Sequence, residues 1–422
     1  MKFFFPDSTD LVDPRFDFET ETGLSHRVHQ REEWYAHEAI STHLYDGILI
    51  SKAAIDPKRS GNNRYSQPQI NRLLRVGARE FFRLNQTCGQ SRLETMGDCG
   101  SFSHMRDGTP IYRIDEVIDF YVGCGLDYGF SIDLIILEYK QKLDDPYSIE
   151  QAPPEWKRKQ ESTLELAAEF LQRHRARRCK FVPIAVAQGW SPNSYAKAAR
   201  ELQRMGYTYI ALGGLAMRKT VEILACLEAV NTVRSPNTRL HLLGTGRVRQ
   251  AHGLQRCGVA SFDSASPMRY SFSAKDNYFT ERKAYVAIWL PQLEGNASVE
   301  RKVKAGLIKQ DEALRWEKTC LDVLRLYDKE LATMKQVLEA LEVYTRCLNK
   351  PWTREREYIE LLTDKPWKTC PCDVCLKVGI EVVIFRGLER NKRRGFHNLY
   401  VFAKQLRKGL EVINTPTQLA SA

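Results

Sequence analysis

The sequence predicts an α/β chain: a (β/α)8 TIM barrel with an inserted helical region and a C-terminal zinc-binding subdomain. Three observations carry this expectation. Apolar strand-like runs alternate with helical stretches between Lys180 and Ser264. The stretch 298–350 has helical spacing throughout. Three cysteines, Cys370, Cys372 and Cys375, then crowd into six positions near the C-terminus.

Length and composition set the frame. The chain has 422 residues, room for one large domain with additions or for two to three ordinary ones. Hydrophobic residues make up 43% and charged residues 27%, the balance of a globular protein in water. No stretch approaches the roughly 20 apolar residues of a membrane helix, so no membrane partner is expected. The opening "MKFFFPDSTD" is too short in apolar residues and too acidic for a secretory signal. Eleven unevenly spaced cysteines argue against a disulfide framework, and a reduced, cytoplasmic setting is expected. A net charge of +11 favours a polyanionic partner, because neutralising phosphates releases their condensed counterions.

Residues 1–92 read as an N-terminal segment of mixed structure, partly in the barrel, with turn signals such as "DPKRSGNNRYSQP". The catalytic core is expected over 93–297. "YGFSIDLIILEYK" (Tyr128 to Lys140) contains an apolar run suited to a buried strand. "DPYSIEQAPP" breaks it, and the following stretch reads as a helix with Leu164, Leu166, Ala167, Phe170 and Leu171 on its buried side. Then "KFVPIAVAQG", "YTYIALGG", "RLHLLGTG" and "GVASFDS" alternate with short helices. That rhythm means parallel strands joined by crossover helices, and four such units favour part of a barrel over an open sheet. Glycines and polar residues fall where each strand ends, on the face that holds the site in such a barrel. A helical region follows over 298–350, where "LDVLRLYDKELATMKQVLEALEVYTRCL" has apolar spacing of three and four. Residues 351–422 form the zinc-binding subdomain and a C-terminal helix.

The cysteine cluster points to a metal. Thiolates this close make strained disulfides between neighbours but good zinc ligands, and His397 supplies the fourth position of a tetrahedron. A filled Cys3His shell is closed and therefore structural rather than catalytic. Basic runs in "WKRK", "RHRARR" and "RNKRR" are candidates for phosphate contacts, Arg393 and Arg394 among them. "LLGTGRVRQ" fails as a dinucleotide loop because Arg249 stands at the third glycine position, and no nucleotide cofactor is expected.

"CPCDVC" followed by "HNLYVF" resembles the zinc site of the tRNA-guanine transglycosylases, in which a zinc subdomain is inserted late in a (β/α)8 barrel. Four further stretches match that family in order: "GDCGSFSHM", "AVAQG", "ALGGLA" and "GVASFDSASPMR". Departures within them are similar to the DpdA branch, DNA-guanine transglycosylase-like proteins that place 7-deazaguanines in DNA. Cys99 and Ser101 stand in the first motif, Ser264, Ala265 and Met268 differ after the aspartate, and "ALGGLAMRK" lacks the Val-Gly-Glu that commonly follows in the bacterial tRNA enzymes.

The resemblance implies exchange of guanine for a free 7-deazaguanine base such as preQ0. DNA is the first substrate and tRNA the alternative. A catalytically silent nucleic-acid-binding subunit is a third reading, disfavoured because Asp98 and Asp263 are both present. By the same resemblance Asp263 is the nucleophile that forms a covalent sugar–enzyme intermediate, and Asp98 the general acid and base. Phe102 would stack on the purine, Gln188 would pair with its edge, and Gly213 and Gly214 would allow close approach. Asp127 would read the exocyclic amine and N1–H, with Asp133 as a competitor. Leu243 would form an apolar wall and Arg269 would hold a phosphate or the sugar side. Zinc is the implied structural cofactor, and accessory DNA-modification proteins are implied partners.

Overall fold

The computed structural model describes residues 1–8, 10–23, 28, 30–56, 64–85, 92–101, 109–145 and 151–411, apart from the Arg249 side chain. The chain divides into two compact units. One comprises Met1–Thr9, Tyr45–Ala265 and Gln405–Ala422, the other Asp10–Leu44 and Ser266–Lys404.

Short apolar runs build the first unit. Strands β1 (Lys2–Pro6), β2 (Gly47–Ser51), β3 (Glu94–Asp98), β4 (Tyr128–Phe130), β5 (Val182–Ala187), β6 (Tyr209–Leu212), β7 (Arg239–Leu242) and β8 (Val259–Asp263) close into a barrel in sequence order. Every pairing is parallel, including the closing pair β1–β8. Side chains alternate between faces, so every second residue points inward. Phe4, Leu49, Met96, Phe130, Ile184, Val186, Tyr209 and Ala211 fill the interior.

The crossover helices include α1 (Gln67–Phe81), α2 (Ile114–Gly123), α3 (Pro154–Ala176), α4 (Pro192–Met205), α5 (Thr220–Val233) and α6 (Ala251–Arg256). Helix α4 starts where Ser191 caps the backbone N–H of Ser194 with Pro192 in the first turn, and stops at Gly206 in the left-handed conformation.

One domain boundary differs from expectation, since the barrel ends well before residue 297, while the N-terminal 92 residues lie partly in it as expected. The first two barrel strands come from the N-terminal 92 residues, and the barrel is complete at Asp263. Residues 266–297 therefore belong to the second unit. The apolar run Tyr128 to Lys140 is a strand only as far as Phe130. Beyond it, side chains take the backbone donors: Leu134 N–H donates to Thr163 Oγ1 at 3.0 Å, and Ile136 N–H to Gln188 Oε1 at 3.2 Å. With those donors diverted, the ladder ends.

In the second unit, α7 (Ser266–Ser271) precedes a hairpin of β9 (Tyr278–Phe279) and β10 (Ala284–Tyr285), and β11 (Ile288–Trp289) pairs with β12 (Ile384–Phe385). Between those last two strands lie α8 (Ala297–Lys304), α9 (Gln310–Asp328), α10 (Met334–Cys347), α11 (Glu355–Asp364) and α12 (Asp373–Val378), and α13 (Gly387–Glu411) follows. The long amphipathic pattern breaks between α9 and α10, where Glu330 takes a φ of 64° and Thr333 caps Gln336 N–H. Buried ion pairs hold this unit. Arg386 reaches Glu21 and Glu317, while Arg390 reaches Glu21 and Glu381. Burial opposes ionisation of Glu21, but Arg386 and Arg390 outweigh it and hold its carboxyl at about 2.

Tyr121 on α2 lies against two barrel strands at once. A methyl group at Gly97 or Gly129 would stand 2.4 Å from its ring, and its hydroxyl donates to Phe130 O at 3.0 Å. Gly129→Ala is expected to lower stability by about 2 kcal/mol through this overlap. Urea unfolding checks it, and a midpoint equal to the parent's would mean that the ring yields freely.

Candidate active site and metal cluster

In a parallel barrel all the strand ends share one rim, and the alternation of side chains decides which residues look inward there. Asp98 ends β3 two residues after Met96, an interior side chain. Asp263 ends β8 two residues after Ser261, whose hydroxyl meets Tyr209 inside the barrel. The two carboxylates are therefore brought to the same mouth. Burial pushes the Asp98 carboxyl up, and the nearby charge of Asp263 adds to that. Hydrogen bonds from Gly100 N–H, the Ser51 hydroxyl and Cys99 N–H work against it.

Asp263 is buried, and its Oδ1 accepts from Gly244 N–H at 2.9 Å and lies 3.1 Å from His241 Nε2. His241 is not among the site residues expected from the sequence. A histidine within the otherwise apolar "RLHLL" was the available signal, since a buried imidazole needs partners.

The base-side residues sort differently from expectation. Gln188 is buried; its Nε2 donates to Asp133 Oδ2 at 2.6 Å while its backbone carbonyl accepts from Gln160 at 2.7 Å. Asp133 also accepts from Ser101. Its carboxyl is pushed up to about 6, first by burial and then by the charge of Asp98, against the hydrogen bonds of Ser101 and Gln188. A pocket lined by Cys99, Ser101, Tyr112, Ile132, Asp133 and Lys159, among others, opens beside it.

Asp127 is a correction. It sits before the first residue of β4, at the opposite end of the barrel from Asp98 and Asp263. There Arg79 at 2.6 Å, Arg92 at 3.0 Å and Thr95 N–H at 2.8 Å saturate its carboxylate. The competitor Asp133 occupies the rim instead.

Gly213 and Gly214 lie at the end of β6. A Cβ on Gly213 would stand 2.2 Å from Gln188 Nε2, and one on Gly214 2.5 Å from Ile136 O, at a φ of 75°. The Gly213 N–H is taken by Ala187 O at 3.0 Å and its carbonyl accepts from Tyr195 at 2.7 Å, so both glycines are there for close packing. Leu243 packs against the barrel's apolar core. Phe102 lies outside the described residues.

Arg393 and Arg394 are the second correction. Arg393 is buried, pairs with Glu389, donates to Asp13 O at 2.5 Å and lies 5.1 Å from the Phe18 ring. Arg394 is fully buried and donates to the carbonyls of Val382, Ile384 and Ser271 at 3.1, 3.1 and 2.7 Å. Guanidinium forks spent on internal carbonyls have no face for phosphate. Arg269 on α7 is exposed, 5.8 Å from the Tyr270 ring. In the other basic runs, Arg173 pairs with Asp115 and Glu169, Arg177 with Asp119, and Lys159 with Glu155.

Cys370, Cys372, Cys375 and His397 form a cluster whose ligand atoms all lie within 4.8 Å of one another. His397 Nδ1 stands 3.5, 3.5 and 3.3 Å from the three sulfurs. A tetrahedral zinc with its usual bond lengths has nitrogen–sulfur edges of about 3.6 Å, so the residues fit a metal. Nε2 lies 2.7 Å from Phe279 O, an acceptor that fixes the proton there and leaves Nδ1 free to ligate. Tyr278 stacks on the imidazole at 4.0 Å, and its hydroxyl lies 3.3 Å from Cys375 Sγ. Among the described residues no helix is long and apolar enough to cross a membrane.

Carboxylates gathered where an anomeric carbon could sit do glycosyl-transfer chemistry, and the glutamine and aspartate beside them suit a purine edge; the class is a glycosyltransferase that works at nucleobases. Comparison with known proteins narrows this. Residues 140–338 match the family described as queuine tRNA-ribosyltransferase. A DNA-guanine transglycosylase of Salmonella montevideo is 40% identical over 417 residues, covering 98% of each chain. The chain belongs to the guanine transglycosylase family.

Arg394→Ala would strand three carbonyls in the interior, with an expected loss of about 3 kcal/mol. The salt dependence of nucleic-acid binding by the folded fraction should stay unchanged. Denaturant unfolding and a salt titration of affinity check both halves, and a shallower salt slope would return this arginine to the phosphate contacts.

Proposed function

We propose that the chain replaces guanine in DNA with a 7-deazaguanine of the preQ0 type through a covalent ester between Asp263 and the sugar. The gathering of the Asp98, Asp133 and Asp263 carboxylates at one barrel mouth carries this reading. The name of the Salmonella relative supports DNA as the substrate.

Asp263 attacks C1′ with a lone pair of its free oxygen while the C1′–N9 bond breaks and its electrons leave with guanine. Asp98, its carboxyl held up by burial, supplies the proton that neutralises the departing base. The incoming base then gives its N9 proton to Asp98 and its N9 electron pair to C1′, and the ester electrons return to Asp263. The cycle is balanced in protons and electrons and needs no redox or nucleotide cofactor. Gln188 and ionised Asp133 read the purine edge in place of Asp127, with Leu243 as the apolar wall and Phe102 as the stacking face. Gly213 and Gly214 keep room at the strand end. Because C1′ of a stacked nucleotide is hard to reach, the guanine is extruded or already unpaired. Exposed Arg269 serves as a phosphate contact.

Zinc on Cys370, Cys372, Cys375 and His397 braces the fold and takes no part in the reaction. The protein works in the cytoplasm with accessory proteins that open DNA or process the inserted base. The same exchange on tRNA is the second reading, favoured by the description of the matched family. Mass spectrometry of nucleosides from the DNA and tRNA of cells with and without the protein decides between them. A deazaguanine confined to tRNA would overturn the DNA reading.

Asp263→Asn is expected to abolish both exchange and a denaturation-resistant adduct with a guanine-bearing oligonucleotide. An adduct that persisted would point to another nucleophile. As an acceptor, Asp133 must be ionised, so kcat/KM for the incoming base should fall as pH drops through about 6. In Asp133→Asn that acid arm should vanish, with kcat/KM at neutral pH lower by about 30-fold, the worth of one buried charged hydrogen bond. Cys375→Ser should lower bound zinc, measured by atomic emission, and reduce thermal stability.

A further inference from the structure

Asp263 is backed by a line of side chains that the proposed reaction does not otherwise use. His241, on β7, is completely buried. Its Nε2 lies 3.1 Å from Asp263 Oδ1, and its Nδ1 lies 2.5 Å from Ser261 Oγ. Ser261 Oγ lies 2.5 Å from the Tyr209 hydroxyl. The rings of Phe130 at 5.1 Å and Phe4 at 6.3 Å pack against the imidazole.

Donor and acceptor roles along this line follow from its two ends. An ionised carboxylate can only accept, so Nε2 of the neutral imidazole carries the proton. Nδ1 must then accept, and the donor within reach is the Ser261 hydroxyl. Ser261 Oγ in turn accepts from Tyr209, whose phenol burial pushes up to about 12, so its proton stays in place. Each group fixes the orientation of the next, and the line ends on one oxygen of the carboxylate. Gly244 N–H donates to that same oxygen at 2.9 Å.

We propose that His241 is a positioning residue for glycosyl transfer: with Ser261 and Tyr209 behind it, it holds Asp263 Oδ1 so that the other oxygen faces C1′. This rests on the reading of Asp263 as the attacking group. During attack the Oδ2–C1′ bond forms, the C1′–N9 pair leaves with the base, and Oδ1 becomes the ester carbonyl, still held by His241 and Gly244. When the second base arrives the ester pair returns to Asp263, and the same two donors receive the charge. No proton moves along the line. Its contribution is orientation, together with a preformed environment for the departing carboxylate.

The test uses the full-length protein and measures exchange of a labelled 7-deazaguanine base into a guanine-bearing DNA oligonucleotide, together with the yield of trapped adduct. His241→Phe fills the same space without the donor, and should lower kcat about 100-fold while KM for the base stays within about threefold. His241→Gln restores an N–H and should recover to within about tenfold of the parent. Ser261→Ala and Tyr209→Phe loosen the line from behind and should lower kcat by smaller factors in that order; they carry the test if His241→Phe does not fold. Parent-like kcat in folded His241→Phe, equal losses in the Phe and Gln variants, or parent-like kcat in both rear variants would overturn the proposal. Asp263→Asn separates the two readings. If it still exchanges base, the nucleophile reading falls; if it is inert while His241→Phe is fully active, only the positioning role falls.

Discussion

Closure of the barrel by β1 against β8 is the constraint on which the site depends. Phe4 pairs with Asp263 on one side of the seam, and Ser51 pairs with Asp98 two strands away on the other. Residues far apart in the chain thereby share one rim, and parallel strands ensure that every strand end there is a C-terminal end. Concentrating carboxylates in that rim is unfavourable, through both burial and mutual repulsion. Each is offset by donors from different segments: Ser51 and the backbone after β3 for Asp98, Ser101 and Gln188 for Asp133, Gly244 and His241 for Asp263. The raised carboxyls of Asp98 and Asp133 are the residue of that imbalance.

Irregular backbone does part of the work. The segment after Phe130 leaves the sheet because Thr163 and Gln188 take its N–H groups, and this departure carries Asp133 to the rim beside the glutamine. Gln188 thus fixes the segment through Oε1 and Asp133 through Nε2. One side chain holds both the backbone and the Asp133 carboxylate.

Charge has a second use in the other unit. Arg386, Arg390, Arg393 and Arg394 all lie inside it, the first three paired with carboxylates and Arg394 hydrogen-bonded to carbonyl oxygens. Guanidinium suits this role because its planar fork satisfies several acceptors at once. Part of the chain's basic surplus is therefore structural, and net charge alone misplaces it on the surface.

The metal cluster and the strand ends were legible in the sequence for a local reason. Ligand type and short spacing already specify a tetrahedral thiolate site, and glycine or polar residues after apolar runs mark the ends of strands. Asp98 and Asp263 were legible only through motif order, since an isolated aspartate after a strand is more often a turn or cap residue. Arg393 carried a cue in Glu389 four residues before it on a helix, a spacing that makes ion pairs. Three matters waited for tertiary structure. Asp127 and Asp133 lie six residues apart around one short strand, and only the barrel's direction says which end each occupies. The interior position of Arg394 depends on carbonyls from distant segments. His241, Ser261 and Tyr209 come from three different strands, and no periodicity within any one of them reveals that their polar atoms meet. Local pattern determines which way a side chain leaves its strand, while the closing of the sheet determines what it finds there.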